Sequence, residues 1–485
     1  MPLSFVTQKN IRTMLKNCLY ILLVFCSIAA SAADTYEIKV KMSNYKEEIL
    51  YLGYHYGDKQ YLRDSATVKD KDGFFVFKGD SLLDKGIYLI VLAPDKKYFQ
   101  FIIDDNSQKF TIEADAVQPD KDIKFKTSPQ NALFYEYMHY LSDAKKRADA
   151  VREVIDSTSE ASKTEGEEKL KVINNEVKEY QNNLVKKHPD YLLSSIIQSN
   201  FEIEIPTDFT GTEEEIAYKR FYYQRDHFFD NMNMKDGRLI RTPVMFQKVD
   251  AYVNKFHAIV PDSSILAVEK VLTMLKGNDD AFKFFLAHFL NTYSKSKYVG
   301  MDAVYVYLVD NYYAKGFAPW VEEESMGKIV KTANTLRPIL LGKKAPELLM
   351  QDKDGKNVSL HGLDAKITVM IFWAPDCGHC QKSMPDVDKF AVDFKDRGVK
   401  VFSVCGKLGD TAECWKMIED KGLQNLINVT DAKYRTRFKE LYDVQVTPKI
   451  YLLDKDKIII SKNIGSEQLP EIVDRFLKEM ETSKM

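Results

Sequence analysis

The stretch IFWAPDCGHCQKSMP, residues 371–385, places two cysteines where a buried strand should give way to a helix. A pair such as Cys377 and Cys380 can bind structural zinc, form a structural disulfide or act as a redox-active dithiol. Zinc needs four ligands, usually from a second closely spaced pair. The other candidate ligands in this part of the chain are Cys405, Cys414 and His361. Their spacing is wrong for zinc, and a purely structural disulfide is poorly placed across a helix start, so the pattern favours a redox dithiol.

The chemistry of the pair follows from its place at the start of a helix. Cys377 would lie at the helix N-terminus, where unpaired N–H groups and the helix dipole favour its thiolate. We therefore expect its pKa to lie below the free-thiol value of about 8.5. Cys380 is expected to be more buried and to resolve the mixed disulfide. Gly378 should admit a substrate backbone, His379 should add positive charge that favours the reduced form, and Asp376 should partly offset that charge.

Strands and helices alternate from residue 339 to residue 485, which predicts an α/β sheet. After the helix that holds Cys380 come the strand VKVFSVC, the helix TAECWKMIEDKG and a hairpin within VQVTPKIYLLDKDKIIISKNIG. Cys405 ends that strand, at the sheet edge where the site should lie, and Cys414 follows on the next helix. We expect these two cysteines to be buried free thiols, with a second redox relay as the alternative.

The segment FWAPDCGHC, with Pro385 after it and Val446-Thr447-Pro448 further on, resembles the thioredoxin superfamily. The lead-in GKKAPELLMQDKDGKNVSL is similar to the TlpA/ResA branch of exported thiol–disulfide oxidoreductases. The resemblance covers roughly residues 340–483. The regions upstream look like the N-terminal domains of exported thioredoxin-like proteins of Gram-negative bacteria, to which no chemistry is assigned.

The resemblance implies roles for particular residues. Cys377 and Cys380 would carry the redox chemistry without a cofactor or a metal. Pro448 would be in the cis form and pack against the pair, and the backbone of Thr447 would pair with an extended substrate. Trp373 would belong to the same substrate-binding surface.

Some positions depart from the family pattern. Thioredoxin has a buried aspartate where this chain has Ile371, and many TlpA/ResA members have an acid where it has Ser383. Neither expected position therefore offers Cys380 a proton acceptor, which argues against thioredoxin-like reductase rates. A peroxidase is disfavoured, because Ala374 stands three residues before Cys377, where peroxidases have threonine or serine.

The first residues predict a targeting segment. The apolar run NCLYILLVFCSIAASA follows a basic start and ends in the small residues Ala30-Ser31-Ala32. It is shorter than the roughly 20 apolar residues of a spanning helix. We predict a signal peptide over residues 1–32 and export to the periplasm or cell envelope. An uncleaved anchor is the alternative.

Residues 33–127 predict an antiparallel β-sandwich of about seven short strands. TYEIKVKM alternates apolar residues on one face, at Tyr36, Ile38, Val40 and Met42. In DSATVKDKDGFFVFKG, Asp72-Gly73 lies between two extended runs and predicts a hairpin.

Residues 128–338 predict a helical domain, with DDAFKFFLAHFLNTY as a helix that buries an aromatic stripe. None of its five histidines forms a metal-binding pair; they are His139, His188, His227, His257 and His288. Pro338 and the change in composition mark a boundary, so residues 339–485 form the thioredoxin-like domain, and we expect residues 340–485 to fold alone.

The composition gives no reason to expect nucleic-acid binding, because the formal net charge is only −2. The predicted function is thiol–disulfide exchange on envelope proteins that carry thiols or disulfides, with electrons exchanged with a membrane or periplasmic donor. The alternative is an envelope scaffold protein, in which the β-sandwich and the thioredoxin-like fold recognise partners.

Overall fold

The computed structural model describes residues 35–67, 70–104, 108–155 and 159–482. The chain forms two compact units, the first ending at Lys248 and the second beginning at Val249. The predicted signal peptide, residues 1–32, lies outside the described residues. Within them, no helix is both long enough and apolar enough to cross a bilayer.

In the described part of the first unit, eight strands form two four-stranded sheets around one apolar core. The strands are β1 (Tyr36–Ser43), β2 (Leu50–Tyr56), β3 (Lys59–Ala66), β4 (Phe75–Gly79), β5 (Gly86–Leu92), β6 (Lys97–Ile103), β7 (Lys109–Asp115) and β8 (Lys124–Lys126). The sheet orders are β4-β1-β7-β8 and β3-β2-β5-β6. The predicted sandwich is confirmed, and its antiparallel pairing holds except between β1 and β7, which run parallel.

The core of the sandwich follows the predicted alternation. On β1 the side chains of Tyr36, Ile38, Val40 and Met42 are buried and their neighbours are not. The hairpin predicted at Asp72-Gly73 is wrong. Gly73 does make a turn with φ +84°, but β3 and β4 enter different sheets, because β4 pairs with β1. A turn motif specifies that the chain reverses direction. It does not specify which strand β4 pairs with, because that depends on how the two sheets pack.

The helices of the first unit are α1 (Pro129–Val154), α2 (Glu160–Lys187), α3 (Leu192–Ser199), α4 (Glu213–Asp226) and the start of α5 (Pro243–Lys255). Two of them, α1 and α3, contact a buried carboxylate. Asp104, after β6, accepts hydrogen bonds from Leu192 N at 2.7 Å and Gln130 Nε2 at 3.1 Å. Arg238 Nη1 lies 2.9 Å from Asp104 Oδ1. This ion pair connects the sandwich with the segment that precedes α5.

The second unit begins with further helices and ends in an α/β sheet. The helices are α6 (Pro261–Met274), α7 (Asp279–Ser294), α8 (Asp302–Leu308), which continues in a π turn (Val309–Tyr313), and α9 (Glu323–Leu336). The predicted apolar stripe of α7 is buried at Phe285, Leu286, Phe289 and Leu290.

The seven-stranded sheet has the order β10-β9-β13-β12-β11-β14-β15. Its strands are β9 (Leu349–Gln351), β10 (Asn357–Ser359), β11 (Ile367–Trp373), β12 (Val399–Cys405), β13 (Ile427–Thr430), β14 (Lys449–Asp454) and β15 (Ile459–Lys462). The helices are α10 (Gly378–Phe394), α11 (Ala412–Lys421), α12 (Phe438–Leu441) and α13 (Leu469–Thr482). Every residue of β11 is buried, because apolar clusters cover both faces of the sheet. The predicted α/β fold is confirmed.

A buried ion pair joins this sheet to α8 within the second unit. Lys462, on β15, is only 2% exposed. Its ammonium group contacts the carboxylate of Asp302, at the start of α8, and donates to Ile339 O at 2.6 Å. Burial lowers the pKa of Lys462, and the carboxylate of Asp302 opposes that effect.

Candidate active site

Cys377 lies where the central strand β11 gives way to α10. It is the residue that caps the helix, with the helix beginning at Gly378, and its Sγ accepts a hydrogen bond from Cys380 N at 3.1 Å. In this structure Cys377 and Cys380 form a disulfide, with their Cα atoms 5.2 Å apart. The same N–H group would stabilise a thiolate on Cys377 after reduction, because helix N-termini favour negative charge.

The two sulfurs differ in access. Cys377 is partly exposed, whereas Cys380 is 0% exposed and belongs to an apolar cluster beneath the helix. Only Cys377 can therefore be reached by an incoming partner. A Cβ built on Gly378 would have no neighbour within 4 Å, so the space above the pair is open. Pro385 lies inside α10, downstream of both cysteines.

The loop before β14 completes the site. The Thr447–Pro448 peptide bond is cis, as predicted. Thr447 O lies 3.3 Å from Cys377 Sγ. This closeness follows from topology: β14 runs antiparallel to β11 with Lys449 opposite Phe372, so the start of β14 meets the end of β11. The loop backbone thus borders the reactive sulfur, where an extended chain could pair with it.

Trp373 has a different place from the one expected of a substrate-binding residue. Its side chain is fully buried, and its Nε1 donates to Ser403 Oγ on β12 at 2.8 Å. The indole therefore lies within the apolar cluster beneath the site and offers no surface to a substrate. Sequence reasoning missed Ser403, because a serine within a buried strand carries no pattern of its own.

Asp376 precedes the pair and His379 lies between the two cysteines, and both side chains are exposed. Water and salt therefore screen their charges, which limits how strongly either side chain tunes the cysteines. Below them, Ile371 packs in the same apolar cluster as Cys380. Ser383, one turn beyond Cys380, has a buried Oγ with no hydrogen-bond partner among the described residues.

The prediction that Cys405 and Cys414 are free thiols is wrong. They form a second disulfide, with their Cα atoms 6.2 Å apart. That separation lies within the usual range of about 4.4–6.8 Å. The end of β12 and the first turn of α11 face the same buried cluster, and this proximity brings the sulfurs together. The signal available in the sequence was the position of both residues at one edge of the predicted sheet.

In the described ranges, no group of three or more histidine, cysteine, aspartate or glutamate side chains could hold a metal ion. The chemistry visible at this site is that of the two sulfurs.

Family models match three parts of this chain. The model described as Redoxin matches residues 340–475. Two models described as domains of unknown function, DUF4369 and DUF5106, match residues 36–134 and 158–337. The C-terminal match covers the CxxC pair and the cis-proline loop.

A relative known from its sequence agrees with that match, and two solved structures are similar to parts of this chain. The chain is similar to the thiol-disulfide oxidoreductase ResA of Bacillus cereus, 27% identical over 146 residues, or 29% of this chain and 78% of the relative. A domain of a possible thiol-disulfide isomerase from Cytophaga hutchinsonii is 38% identical, covering 30% of this chain and 97% of that one, with a TM-score of 0.28. A thioredoxin-like protein from Bacteroides caccae is 19% identical, covering 57% and 97%, with a TM-score of 0.43. The C-terminal domain is thus a thioredoxin-superfamily oxidoreductase domain of the TlpA/ResA type.

Proposed function

We propose that this thioredoxin-superfamily domain makes the chain an exported thiol–disulfide oxidoreductase, which exchanges disulfides with proteins of the cell envelope through Cys377 and Cys380. The observation that carries the proposal is the unequal access of the two sulfurs at one helix N-terminus. A partly exposed cysteine caps the helix, and a buried cysteine lies one turn behind it. This asymmetry assigns attack to Cys377 and resolution to Cys380.

The cycle follows from these roles. In the reduced protein, the Cys377 thiolate attacks one sulfur of a substrate disulfide, forms a mixed disulfide and releases the other substrate sulfur as a thiolate. Cys380 then attacks Cys377 Sγ, which releases the second substrate thiolate and closes the Cys377–Cys380 disulfide. Two electrons pass to the substrate, and a dithiol donor of the envelope must return two. Run backwards, the same steps oxidise a substrate dithiol.

The backbone at Thr447 would hold the substrate during attack. Thr447 O borders Cys377 Sγ, so an extended segment around the substrate cysteine could pair with this loop. The substrate would then be a polypeptide in extended form. The open space above Gly378 leaves room for its backbone.

Catalysed exchange is the direct test. The full chain should accelerate the reduction of insulin disulfides by dithiothreitol, measured as turbidity. The variant Cys377→Ala/Cys380→Ala should fall to the uncatalysed rate, because both sulfurs of the exchange are gone. Val392→Ala is the matched control, since Val392 is an exposed residue of the same helix. It lies fifteen positions after Cys377, or roughly 22 Å along a helix. A wild-type rate equal to background would overturn the proposed activity.

The proposal that the protein is exported rests on the apolar run near the N-terminus and the small residues that end at Ala32. The mature chain is expected to begin at or near Ala33 and to be found in the envelope fraction. N-terminal sequencing of protein purified from that fraction checks this expectation. A chain that retains residues 14–30 would contradict cleavage and favour the membrane anchor.

The alternative function is a scaffold, favoured by the extent of the chain upstream of the redox domain. In that case the Cys377→Ala/Cys380→Ala variant would bind the same envelope partners and restore the phenotype of a deletion strain. If the protein is an oxidoreductase of the proposed kind, that variant would leave the phenotype of the deletion strain unchanged.

A further inference from the structure

The second disulfide closes a loop at the edge of the sheet. Cys405 is the last residue of β12, and Cys414 lies in the first turn of α11. Both are almost fully buried, with 1% and 0% exposure. Residues 406–411, between the strand and the helix, form a loop whose two ends the disulfide joins.

This loop lies beside the redox pair. Strand β12 runs parallel to β11, with Cys405 directly opposite Trp373. Gly406 N donates to Trp373 O at 2.6 Å. Because the carboxyl ends of parallel strands meet at one edge of a sheet, the loop borders the segment that runs from Trp373 to Cys377. The segment from Trp373 to Cys377 therefore has the loop that contains Thr447 and Pro448 on one side and residues 406–411 on the other.

The loop is anchored along its length but presents one apolar side chain. A Cβ at Gly406 would lie 3.3 Å from Trp373 O, so the backbone approaches the strand closely there. Gly409 N donates to Ala432 O at 3.0 Å, and Lys407 pairs with Glu413. Leu408 lies between these anchors in the chain and is 38% exposed. An exposed leucine on a loop at the same sheet edge as the reactive cysteine can bury apolar surface against the apolar residues of a substrate.

We propose that the Cys405–Cys414 disulfide is a positioning element: it holds residues 406–411 so that Leu408 contacts a polypeptide substrate bound at Cys377. This inference rests on the proposed function and adds a specificity-determining residue to it. The substrate class is an unfolded polypeptide with apolar residues near the reacting cysteine. A small disulfide such as oxidised glutathione reaches Cys377 without needing the loop.

The second disulfide remains closed during the catalytic cycle. Exchange requires a thiolate to reach a disulfide sulfur, and both of these sulfurs are shielded by the apolar cluster. No electrons pass through Cys405 or Cys414. Their bond acts through the loop, because without it only the backbone of residues 406–411 and noncovalent contacts would hold the start of α11 to the end of β12.

The redox part is tested on the folded full chain. After brief treatment with a limiting amount of dithiothreitol, free thiols are alkylated and located by mass spectrometry. Cys377 and Cys380 should be labelled, and Cys405 and Cys414 should remain joined. Equal labelling of both pairs would overturn the assignment of the second disulfide to a non-exchanging role.

The positioning part compares two substrates. For Cys405→Ala/Cys414→Ala, kcat/KM with an unfolded protein that carries scrambled disulfides should fall by roughly five- to tenfold, mainly through KM. The rate with oxidised glutathione and the potential of the Cys377–Cys380 pair should stay at wild-type values. Equal losses with both substrates, or no loss with either, would overturn the proposal.

Leu408→Ala keeps the disulfide and decides the matter even if the double variant does not fold. It should show the same selective loss with the unfolded protein, whereas Val392→Ala should match the wild type. A Leu408→Ala variant with wild-type kcat/KM for the unfolded protein would overturn the role of Leu408. If the wild type itself acts on neither substrate, the proposed function fails instead of this inference.

Discussion

Replacing Cys380 with serine is expected to leave the protein covalently joined to its envelope partners. Cys377 keeps its place at the helix N-terminus and still attacks a substrate disulfide, but no buried thiol remains to release the product. Mixed disulfides should accumulate, visible as dithiothreitol-sensitive bands on non-reducing gels. Identifying the trapped proteins would name the substrates and the electron donor.

The matched variant is Cys377→Ser, which retains the other cysteine of the pair. Cys380 is 0% exposed, so this variant should trap little. Its exchange rate should fall by roughly a thousandfold or more, the loss of much of a typical enzymatic acceleration. Equal or greater trapping by Cys377→Ser would reverse the roles assigned to the two cysteines. Trapping by neither variant would favour the scaffold function.

Replacing Lys462 with methionine is expected to destabilise the second unit by about 3 kcal/mol, the lower end of the cost of breaking a buried ion pair. The change leaves Asp302 without its cation and Ile339 O without its donor. The lower end applies because the side chain of Asp302 is 20% exposed and keeps some contact with water. Denaturant unfolding followed by tryptophan fluorescence reports this unit, since the chain's three tryptophans are Trp320, Trp373 and Trp415.

Two further variants separate the ion pair from packing. Lys462→Met/Asp302→Leu should recover most of the lost stability, because replacing both charges by apolar groups of similar size is often neutral. Lys416→Met removes a cation from an exposed pair with Asp420 and should leave the unfolding midpoint nearly unchanged. A loss in Lys462→Met that the double variant does not recover would show that the charges are not its cause.

The isolated fragment, residues 340–485, should respond much less to the same change. In the fragment both Asp302 and Ile339 are absent, so Lys462→Met breaks neither contact. The loss of stability should therefore be well below the value of about 3 kcal/mol expected for the full chain. Equal destabilisation in both contexts would show that Lys462 matters through its packing within the sheet.

The sequence by itself determined the parts of this protein that depend on local pattern. A buried strand followed by CxxC at a helix start specifies that Cys377 caps the helix. The N–H groups of the first helical turn have no partner within the helix, and they belong to residues close to Cys377 in the chain. The unequal exposure of Cys377 and Cys380 follows from the same local geometry. The alternation of apolar and polar residues along β1 likewise indicated a strand with one buried face, since successive side chains of a strand face opposite sides of the sheet. The cis bond at Pro448 came from the resemblance to a family, and the structure has it.

The tertiary structure alone decided which residues of different elements meet. Burial of Cys405 and Cys414 could be expected from the sequence, but whether two buried sulfurs come within bonding distance depends on how α11 docks on β12. The same holds for Trp373, which turns inward because Ser403 on the neighbouring strand accepts its N–H. Contacts of this kind form between residues on different elements, and their geometry is set by the packing of whole elements, which no local pattern encodes.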